Sequence, residues 1–269
     1  MSSSTCQSPW SRLRSKGFLL VQFTGRDFLS RYKGTHFGLI WSILIPLCMV
    51  LVYTLVFGYI FKAKWQAPGE GRLLFATALF AGLIPFNLFA EVVTSSAALV
   101  QGSPNLVKKV VFPLEVLPLS RALAAFLHGL INIALLACLA VYQGTFSLSW
   151  LFVPLMICPF ALFCIGLAYF VSALAVFVRD VTHLLGAVVS LSLFLTPIFY
   201  PTDAVPLGLR SLMVYNPLAI VVEQMRCVTV FERTPSGDAL LILWAWGLIS
   251  FVVGWAWFRR LRPSFADVM

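Results

Sequence analysis

Residues 31–61 read RYKGTHFGLIWSILIPLCMVLVYTLVFGYIF, and this stretch decides the class of fold. Two cations, Arg31 and Lys33, precede a run at 37–61 that contains no charged residue. A helix of about 20 residues is long enough to cross the ~30 Å hydrocarbon core of a bilayer. The stretch therefore predicts a transmembrane helix with a basic collar at its entrance.

The rest of the chain is also strongly apolar and poor in charged residues. Of its 269 residues, 60% are hydrophobic and 11% are charged, whereas soluble domains contain roughly 45–50% apolar residues. Further apolar runs of spanning length predict an all-α polytopic membrane protein, a single domain over 1–269 with six transmembrane helices. The predicted spans are 37–61, 73–100, 117–141, 148–178, 184–202 and 239–258.

Three other segments are too polar or too short to cross. Residues 9–30 place apolar and basic side chains on different sides of a helix, which predicts an amphipathic helix in the headgroup plane. This helix either anchors the chain or gathers anionic lipid phosphates. Residues 103–115 form a short amphipathic element bracketed by prolines, which is either a docking helix or an ordinary cationic loop. Residues 203–235 contain an apolar piece broken at Asn216 and Pro217, which predicts two short re-entrant or interfacial helices.

The distribution of cations predicts the orientation. Six spans put both termini on one side, and 13 of the 19 Lys and Arg residues lie there. The other six, among them Arg210 and Arg226, lie on the opposite side. Because cationic flanks stay in the cytoplasm, we expect both termini to be cytoplasmic. The net charge of +9 then reflects topology and attraction to anionic lipids, and we expect no nucleic-acid partner.

Several kinds of site are disfavoured by their missing motifs. The six cysteines show no CxxC spacing, and no HExxH occurs, so we expect no metal site. No GxxxxGK[ST] loop is present to hold ATP. The spans contain few ionisable residues, unlike those of ion-coupled carriers. Glu91 is expected near the cytosolic face, where it lines an entrance or snorkels, and His128 is interpreted as an interhelical hydrogen-bonding residue rather than a proton relay.

Five stretches, in this order around the spans, carry a family resemblance. They are residues 31–61, "PNLVKKVVFPLEVLPL", "LTPIFYP", "YNPLAIVVEQMR" and "FRRLRPSFADVM". Together they resemble the membrane subunit of a type-2 ABC exporter that moves lipid-linked polysaccharide, such as O-antigen, capsule or wall teichoic acid. The resemblance covers nearly the whole chain.

The resemblance implies a multi-pass subunit of the bacterial inner membrane that is not itself an enzyme. It implies a homodimer with a pathway at the dimer interface and a separate cytosolic ATPase docked on each subunit. ATP and magnesium would then bind to the ATPase, and this chain would hold no cofactor. The helix at 9–30 would flank the substrate entrance, the element at 103–115 would couple to the ATPase, and the helices within 203–235 would form an external gate.

Four groups of site residues follow from these expectations. The ATPase-coupling residues are Asn105, Leu106, Lys108, Lys109, Phe112 and Pro113. The entrance residues, whose cations suit charge-assisted contacts with lipid phosphates, are Arg26, Arg31, Tyr32 and Lys33. The glycan-path residues, whose rings suit the C–H faces of sugars or simply the lipid belt, are Trp41, Tyr53, Phe199 and Tyr200. The external gate residues are Pro197, Pro201, Asn216, Pro217 and Glu223, the last as an i, i+3 partner of Arg226.

Three alternatives stay open at this point. The chain could be a type-2 exporter of a drug or small lipid. It could be a membrane-embedded glycosyl or acyl transferase, which needs a converging acid–base site that the scattered external carboxylates do not suggest. It could also be a channel or secondary carrier that works without an ATPase. Which glycan is carried, and whether it is extruded processively or flipped, is not determined by the sequence.

Overall fold

The computed structural model describes residues 9–60, 72–100, 102–103, 112–178 and 180–268, and all regular secondary structure in these ranges is helical. The α-helices are α1 (Pro9–Ser30), α2 (Trp41–Tyr53), α3 (Arg72–Ala97), α4 (Val116–Gln143), α5 (Val153–Phe177), α6 (Val181–Leu195), α7 (Leu207–Tyr215), α8 (Pro217–Thr229), α9 (Gly237–Leu261) and α10 (Phe265–Val268). Short 3-10 turns precede α2 and α5, a π-helical turn at Thr54–Ile60 continues α2, and further 3-10 turns lie at Thr202–Ala204 and Arg262–Ser264.

Five stretches of the described residues are long and apolar enough to cross a membrane. They are Gly38–Val56, Leu73–Ala97, Val116–Gln143, Leu148–Phe177 and Gly237–Val268. Each overlaps one of the predicted spans. The all-helical membrane architecture is therefore confirmed, and five of the six predicted spans have a counterpart of sufficient length.

The predicted span at 184–202 differs from the structure. Its counterpart α6 has 15 residues, about 22 Å at 1.5 Å per residue, which is shorter than the ~30 Å core. Thr196, the residue after α6, has an extended backbone. The physical reason is Pro197, because proline disfavours helical geometry in the residue before it and has no N–H to continue a helix. A sixth span at this place stays a prediction.

Helix α3 is the centre of the bundle. Within the chain, 78% of its span is buried, against 6% of the span that contains α2. Helix α3 packs against α4, α5, α6 and α8, and its Leu79, Ala81 and Val92 are completely buried. The span of α2 instead exposes Leu and Ile side chains along its length. An outer position in the bundle suits such a span, because hydrocarbon solvates apolar side chains.

Helices α5 and α9 pack most closely, and small residues make this possible. A Cβ atom on Gly254 would overlap the backbone carbonyl of Gly166, and one on Gly247 would overlap the carbonyl of Pro159. The Ser250 hydroxyl donates to the Phe163 carbonyl at 3.0 Å across the same interface. Small residues let transmembrane helices approach closely enough for backbone contact, so these glycines set the distance between the two spans.

Replacement of Gly254 by Ala should separate α5 from α9 and destabilise the protein by about 1–3 kcal/mol, the range for overpacked interiors. Gly186→Ala is the matched control, since Gly186 also lies in a helix but has open space at its Cβ position. We expect thermal unfolding of the purified protein in detergent to occur at a lower temperature for Gly254→Ala only. Equal melting temperatures for the two variants would contradict this account of the interface.

Candidate functional site

One cluster of polar side chains joins α1 to two spans, and we call Arg31, Glu91 and His128 the entrance cluster. The Arg31 guanidinium donates to Glu91 Oε2 at 2.9 Å, and His128 Nδ1 lies 2.8 Å from Glu91 Oε1. Because an ionised carboxylate only accepts hydrogen bonds, His128 is the donor in the second contact. Arg31 Nη1 is also 3.1 Å from His128 Nδ1. One carboxylate thus holds the end of α1 and helix α4 against α3.

Aromatic rings cover the entrance cluster from the side of α1. The Phe28 ring stacks on the His128 ring, with centroids 4.7 Å apart and planes inclined by 29°. Tyr32 meets the same ring edge-on at 5.6 Å. Burial raises the pKa of the Tyr32 phenol above its ordinary value. Tyr32 therefore stays neutral at physiological pH and contributes an aromatic ring and a hydroxyl beside the entrance cluster.

A second anchor of α1 is Asp27, which the sequence analysis missed. Its carboxylate is buried, accepts a hydrogen bond from the Ser120 hydroxyl at 3.3 Å and lies 3.9 Å from the Arg121 guanidinium on α4. Arg26 pairs with the same carboxylate at 3.2 Å. A signal was present, because Asp27 is the single acidic residue in the sequence of α1. An isolated carboxylate in a basic amphipathic helix is a candidate for a buried contact.

The structure therefore brings together part of the predicted entrance group. Arg31 and Tyr32 meet at His128, whereas Arg26 lies over the Phe23 ring at 4.3 Å. Lys33 is exposed after the end of α1. Whether these four residues bind phosphate stays a prediction. Arg31 in any case has a structural partner in Glu91, which the sequence analysis did not anticipate.

A further cluster lies where the predicted coupling element meets α4, and we call Glu115 and Arg262 the root pair. The Arg262 guanidinium donates to the Glu115 carboxylate and to the Phe112 carbonyl at 3.5 Å. The Tyr169 hydroxyl donates to the Glu115 carbonyl at 3.1 Å. The carboxyl-terminal end of α9 and the middle of α5 therefore both hold the segment just before α4.

The predicted coupling residues are only partly within the described structure. Phe112 and Pro113 lie directly before α4, and the Phe112 ring contacts the Phe23 ring of α1 at a centroid distance of 5.2 Å. The predicted residues Asn105, Leu106, Lys108 and Lys109 lie outside the described residues. Phe112 thus connects α1 with the root pair, whatever the role of the element that precedes it.

At the opposite end of the bundle, Arg226 organises the segment between α6 and α9. Its side chain is fully buried and donates to the carbonyls of Ala78 at 2.9 Å, Pro197 and Ile198. We call Arg226 with these three carbonyls the gate knot. The sequence analysis assigned Arg226 to the external side of the membrane, which stays a prediction, and it did not anticipate that the guanidinium is buried within the protein.

Two further residues, Glu223 and Gly82, lie against Arg226 in the gate knot. Glu223 Oε2 lies 3.8 Å from the Arg226 guanidinium, as the i, i+3 spacing predicted. A Cβ atom on Gly82 would lie 2.6 Å from Arg226 Nη2, so only glycine leaves room for the guanidinium beside α3. The sequence offered one signal for Arg226, namely a lone cation in an otherwise apolar helix face, but no signal for Gly82.

The predicted break at Asn216 and Pro217 is confirmed. Helix α7 ends before Asn216, and α8 begins at Pro217, where the Asn216 side chain accepts a hydrogen bond from the Leu218 N–H at 3.0 Å. Asparagine is a favoured residue at a helix start, and proline suits the first helical position because its missing N–H needs no partner. Pro201 precedes the 3-10 turn Thr202–Ala204.

The predicted glycan-path residues fall into two places. Tyr53 and Phe199 meet with ring centroids 5.2 Å apart, and the Tyr200 hydroxyl donates to the Phe194 carbonyl at 2.8 Å. Trp41 pairs with Phe37 at 5.9 Å, twelve residues before Tyr53 and so about 18 Å away along the helix. Among the described residues, no three His, Cys, Asp or Glu side chains are grouped to hold a metal ion.

The sequence matches the family of ABC-2 type transporters over residues 19–229. The chain belongs to this family. It is also 32% identical to the O-antigen export system permease protein RfbA of Klebsiella pneumoniae over 253 residues, which covers 93% of this chain and 95% of that protein. A relative from Myxococcus xanthus with the same name is 28% identical over 93% of this chain and 94% of the relative.

A more distant relative is named for the transport of a different polysaccharide. The polysialic acid transport protein KpsM of Escherichia coli is 23% identical over 248 residues, which covers 89% of this chain and 92% of KpsM. The family match includes the entrance cluster and the gate knot but ends before Arg262. Both polar clusters thus lie within the part of the chain that defines the family.

Replacement of Arg226 by Lys should destabilise the protein severely, because one ammonium cannot reproduce the planar fork that reaches three carbonyls. Carbonyls left without donors inside the protein cost about 1–3 kcal/mol each. Arg233→Lys is the matched control, since Arg233 is exposed near the same end of the bundle. We expect a large loss of folded, monodisperse protein on size-exclusion chromatography for Arg226→Lys alone. Wild-type behaviour of that variant would show that the gate knot is dispensable.

Replacement of Glu91 by Gln should loosen α1, because the amide cannot balance the charge of Arg31 and offers one acceptor oxygen instead of two. The expected cost is about 1 kcal/mol, since Arg31 is half exposed and solvent screens the pair. Hydrogen–deuterium exchange of the peptides covering residues 17–33 should therefore rise about fivefold. Glu232→Gln, at an exposed position, serves as the control. Unchanged exchange in Glu91→Gln would mean that Asp27 alone anchors α1.

Proposed function

We propose that this chain is the transmembrane subunit of an ATP-driven exporter that moves lipid-linked polysaccharide across the bacterial inner membrane. The observation that carries the proposal is its similarity, over nearly the full length of both chains, to permeases named for O-antigen export. Membership in the ABC-2 family supports transport rather than enzymatic chemistry in this chain. The more distant similarity to a polysialic acid transport protein extends the cargo class to polysaccharides in general.

The proposed topology has six spans with both termini in the cytoplasm. The turn after α6, which the gate knot ties to α3, would let α6 cross together with residues 196–200. A homodimer is proposed as the working form. The exposed apolar surface of the span containing α2 would be partly covered by the second copy, and lipid would solvate the remainder.

The proposed energy source is a separate ABC ATPase, two copies per dimer, that binds the ATP and magnesium. Residues 105–112 would contact it on the cytosolic side. The root pair supports a mechanical role for this region, because Arg262 and Tyr169 tie the start of α4 to α9 and α5. Because Phe112 contacts Phe23, a displacement of this segment would be transmitted directly to α1.

The proposed path of the cargo begins at α1. Arg26, Arg31 and Lys33 would meet the phosphates of the lipid carrier, and Arg31 keeps N–H donors for this while it binds Glu91, because a guanidinium has five. ATP-driven movement of the coupling segment would then shift the two protomers. The glycan would pass the Tyr53 and Phe199 rings and leave between α7 and α8.

The purified chain reconstituted in proteoliposomes with its ABC ATPase should hydrolyse ATP faster when a long-chain lipid-linked glycan is added. The lipid carrier without a glycan, and small amphipathic drugs, should produce little stimulation, since they lack the polymer that the path is proposed to accommodate. The measurement is the ATPase rate at increasing concentration of each compound. Stimulation by drugs alone would favour the alternative exporter class, and failure to bind any ABC ATPase would overturn the proposal.

Lys33→Ala tests the entrance within the same assay, because Lys33 is exposed and its loss should leave the entrance cluster intact. We expect the concentration of glycan lipid for half-maximal stimulation to rise about threefold to tenfold, the effect of losing one charge-assisted contact of about 1 kcal/mol. Arg260→Ala removes an exposed cation from the end of α9 and should have no such effect. Equal shifts in both variants would indicate nonspecific attraction by surface charge.

A further inference from the structure

The stretch FRRLRPSFADVM, residues 258–269, is one of the five that carry the family resemblance. None of its residues belongs to the coupling, entrance, path or gate groups. In the structure, the end of α9 is followed by the 3-10 turn Arg262–Ser264 and by α10 (Phe265–Val268). Pro263 has no N–H to continue an α-helix, which suits the change of helix type at this point. We call residues 262–268 the carboxyl-terminal turn.

One aromatic side chain fixes the carboxyl-terminal turn in the bundle. Phe265 is fully buried. The centroid of its ring lies 5.4 Å from that of Phe258 on α9 and 6.0 Å from that of Phe177 on α5. Aromatic side chains contribute strongly to packing because they bury a large apolar surface. The same packing therefore fixes the place of Arg262, which precedes Phe265 by three residues.

The segment that Arg262 contacts lacks a local device to hold it. Residues 112–115 are not helical, and the Glu115 side chain makes no capping hydrogen bond at the start of α4, where many helices have one. The Arg262 guanidinium instead donates to the Glu115 carboxylate and, at 3.5 Å, to the Phe112 carbonyl. One side chain of the carboxyl-terminal turn thus contacts both ends of this segment.

A second route leads from the carboxyl-terminal turn to the same segment. The Phe258 ring, which packs on Phe265, also meets the Tyr169 ring of α5 at a centroid distance of 5.5 Å. The Tyr169 hydroxyl donates to the Glu115 carbonyl at 3.1 Å. Glu115 is therefore held through its carboxylate by Arg262 and through its backbone by Tyr169. Two routes that end on one residue indicate a defined position for it.

The charge of Glu115 depends on this arrangement. Within the described part of the chain, Glu115 Oε2 is buried without a hydrogen-bond partner, and Arg262 binds the other oxygen. The side chains of Arg262 and Glu115 are 39% and 25% exposed, so water screens this pair less than a pair at the surface. A shielded carboxylate that loses its cation is unfavourable. Loss of Arg262 should therefore allow residues 112–115 to move toward water.

The location of the contacts favours more than a contribution to stability. The residues that Arg262 holds directly follow the element that is proposed to meet the ABC ATPase. Phe112 also contacts the Phe23 ring of α1. A displacement of this element can reach α1 and α4 only if residues 112–115 keep a defined position, because a loose segment would absorb the movement.

We propose that the carboxyl-terminal turn positions residues 112–115 so that movement imposed by the ABC ATPase passes to α1 and α4. Arg262, Phe265 and Tyr169 are positioning residues in this device. They act through Glu115 and Phe112 and do not touch ATP or the glycan. The inference rests on the proposed function, since it requires an ATPase that acts on the element before Phe112.

Hydrogen–deuterium exchange of the full-length chain without an ATPase tests the positioning itself. In Arg262→Gln, exchange of the peptide covering residues 112–120 should rise about threefold to fivefold, the effect of losing one partly shielded charged hydrogen bond. Arg260→Gln removes an exposed cation from the end of α9 and should leave this peptide unchanged. Unaltered exchange in Arg262→Gln would overturn the proposal.

The ATPase assay in proteoliposomes, at saturating ABC ATPase, tests the transmission. In Arg262→Gln and in Tyr169→Phe, the maximal rate stimulated by glycan lipid, per bound ATPase, should fall about twofold to fivefold. The glycan lipid concentration for half-maximal stimulation should stay the same, because the entrance residues are intact. Arg262→Lys keeps the charge and should restore part of the rate. Tyr142→Phe, at an exposed position at the other end of α4, is the control for Tyr169→Phe.

The outcomes separate this inference from the proposed function. If the wild-type chain binds no ABC ATPase, the proposed function fails and the transmission fails with it, while the exchange measurement still decides whether the turn holds residues 112–115. Increased exchange with an unchanged maximal rate per complex would show that the turn only stabilises the fold, and would contradict the proposal. Melting temperatures in detergent establish that each variant folds.

Discussion

A membrane offers no water to backbone polar groups, and this constraint gives Arg226 its importance. Helix α6 stops at Leu195 because of Pro197, and the chain then turns while still packed against the bundle. The carbonyls of Pro197 and Ile198 have no helical N–H partners, and the guanidinium of Arg226 supplies the donors. The same side chain reaches Ala78 of α3 beside Gly82. One buried cation therefore supplies hydrogen-bond donors to the end of an interrupted helix that is packed inside the protein.

At the other end of the bundle, the entrance cluster likewise provides partners for a polar group that is shielded from water. Glu91 is a carboxylate in the most buried span, where Arg31 compensates its charge and both Arg31 and His128 contact its oxygens. Buried charges without such partners are strongly unfavourable. The consequence is an amphipathic helix that is attached at its carboxyl-terminal end, through Asp27 and through the entrance cluster, to the two spans beneath it. Lipid attraction alone would not give α1 a defined position.

The clusters also connect regions that are distant in sequence. Phe112 contacts Phe23 of α1, and Arg262 from the end of the chain holds the Phe112 carbonyl and Glu115. The beginning, the middle and the end of the chain thus meet at one point before α4.

Much of this protein was predictable from its sequence. Length and hydropathy determine where a span can exist, because about 20 apolar residues are needed to cross. The five spans, the helix at Pro9–Ser30 and the break at Asn216 were therefore predictable, and local capping chemistry explains the last. The end of the predicted span at 184–202 was less predictable, since its residues are apolar throughout and the effect of one proline had to be weighed against them.

The partners of the charged residues depended on the tertiary structure. Nothing in the local pattern joins Arg31 to Glu91, Asp27 to Ser120 or Arg262 to Glu115, because each pair is separated by 60 residues or more and meets only through helix packing. The sequence marked Arg226 only as one of the external cations, and helix packing makes it a buried donor to three carbonyls. The sequence by itself determined the helices and the transporter class, because hydropathy and motif order are local properties. Only the tertiary structure decided which charged side chains are paired within the protein, because these pairs form through helix packing.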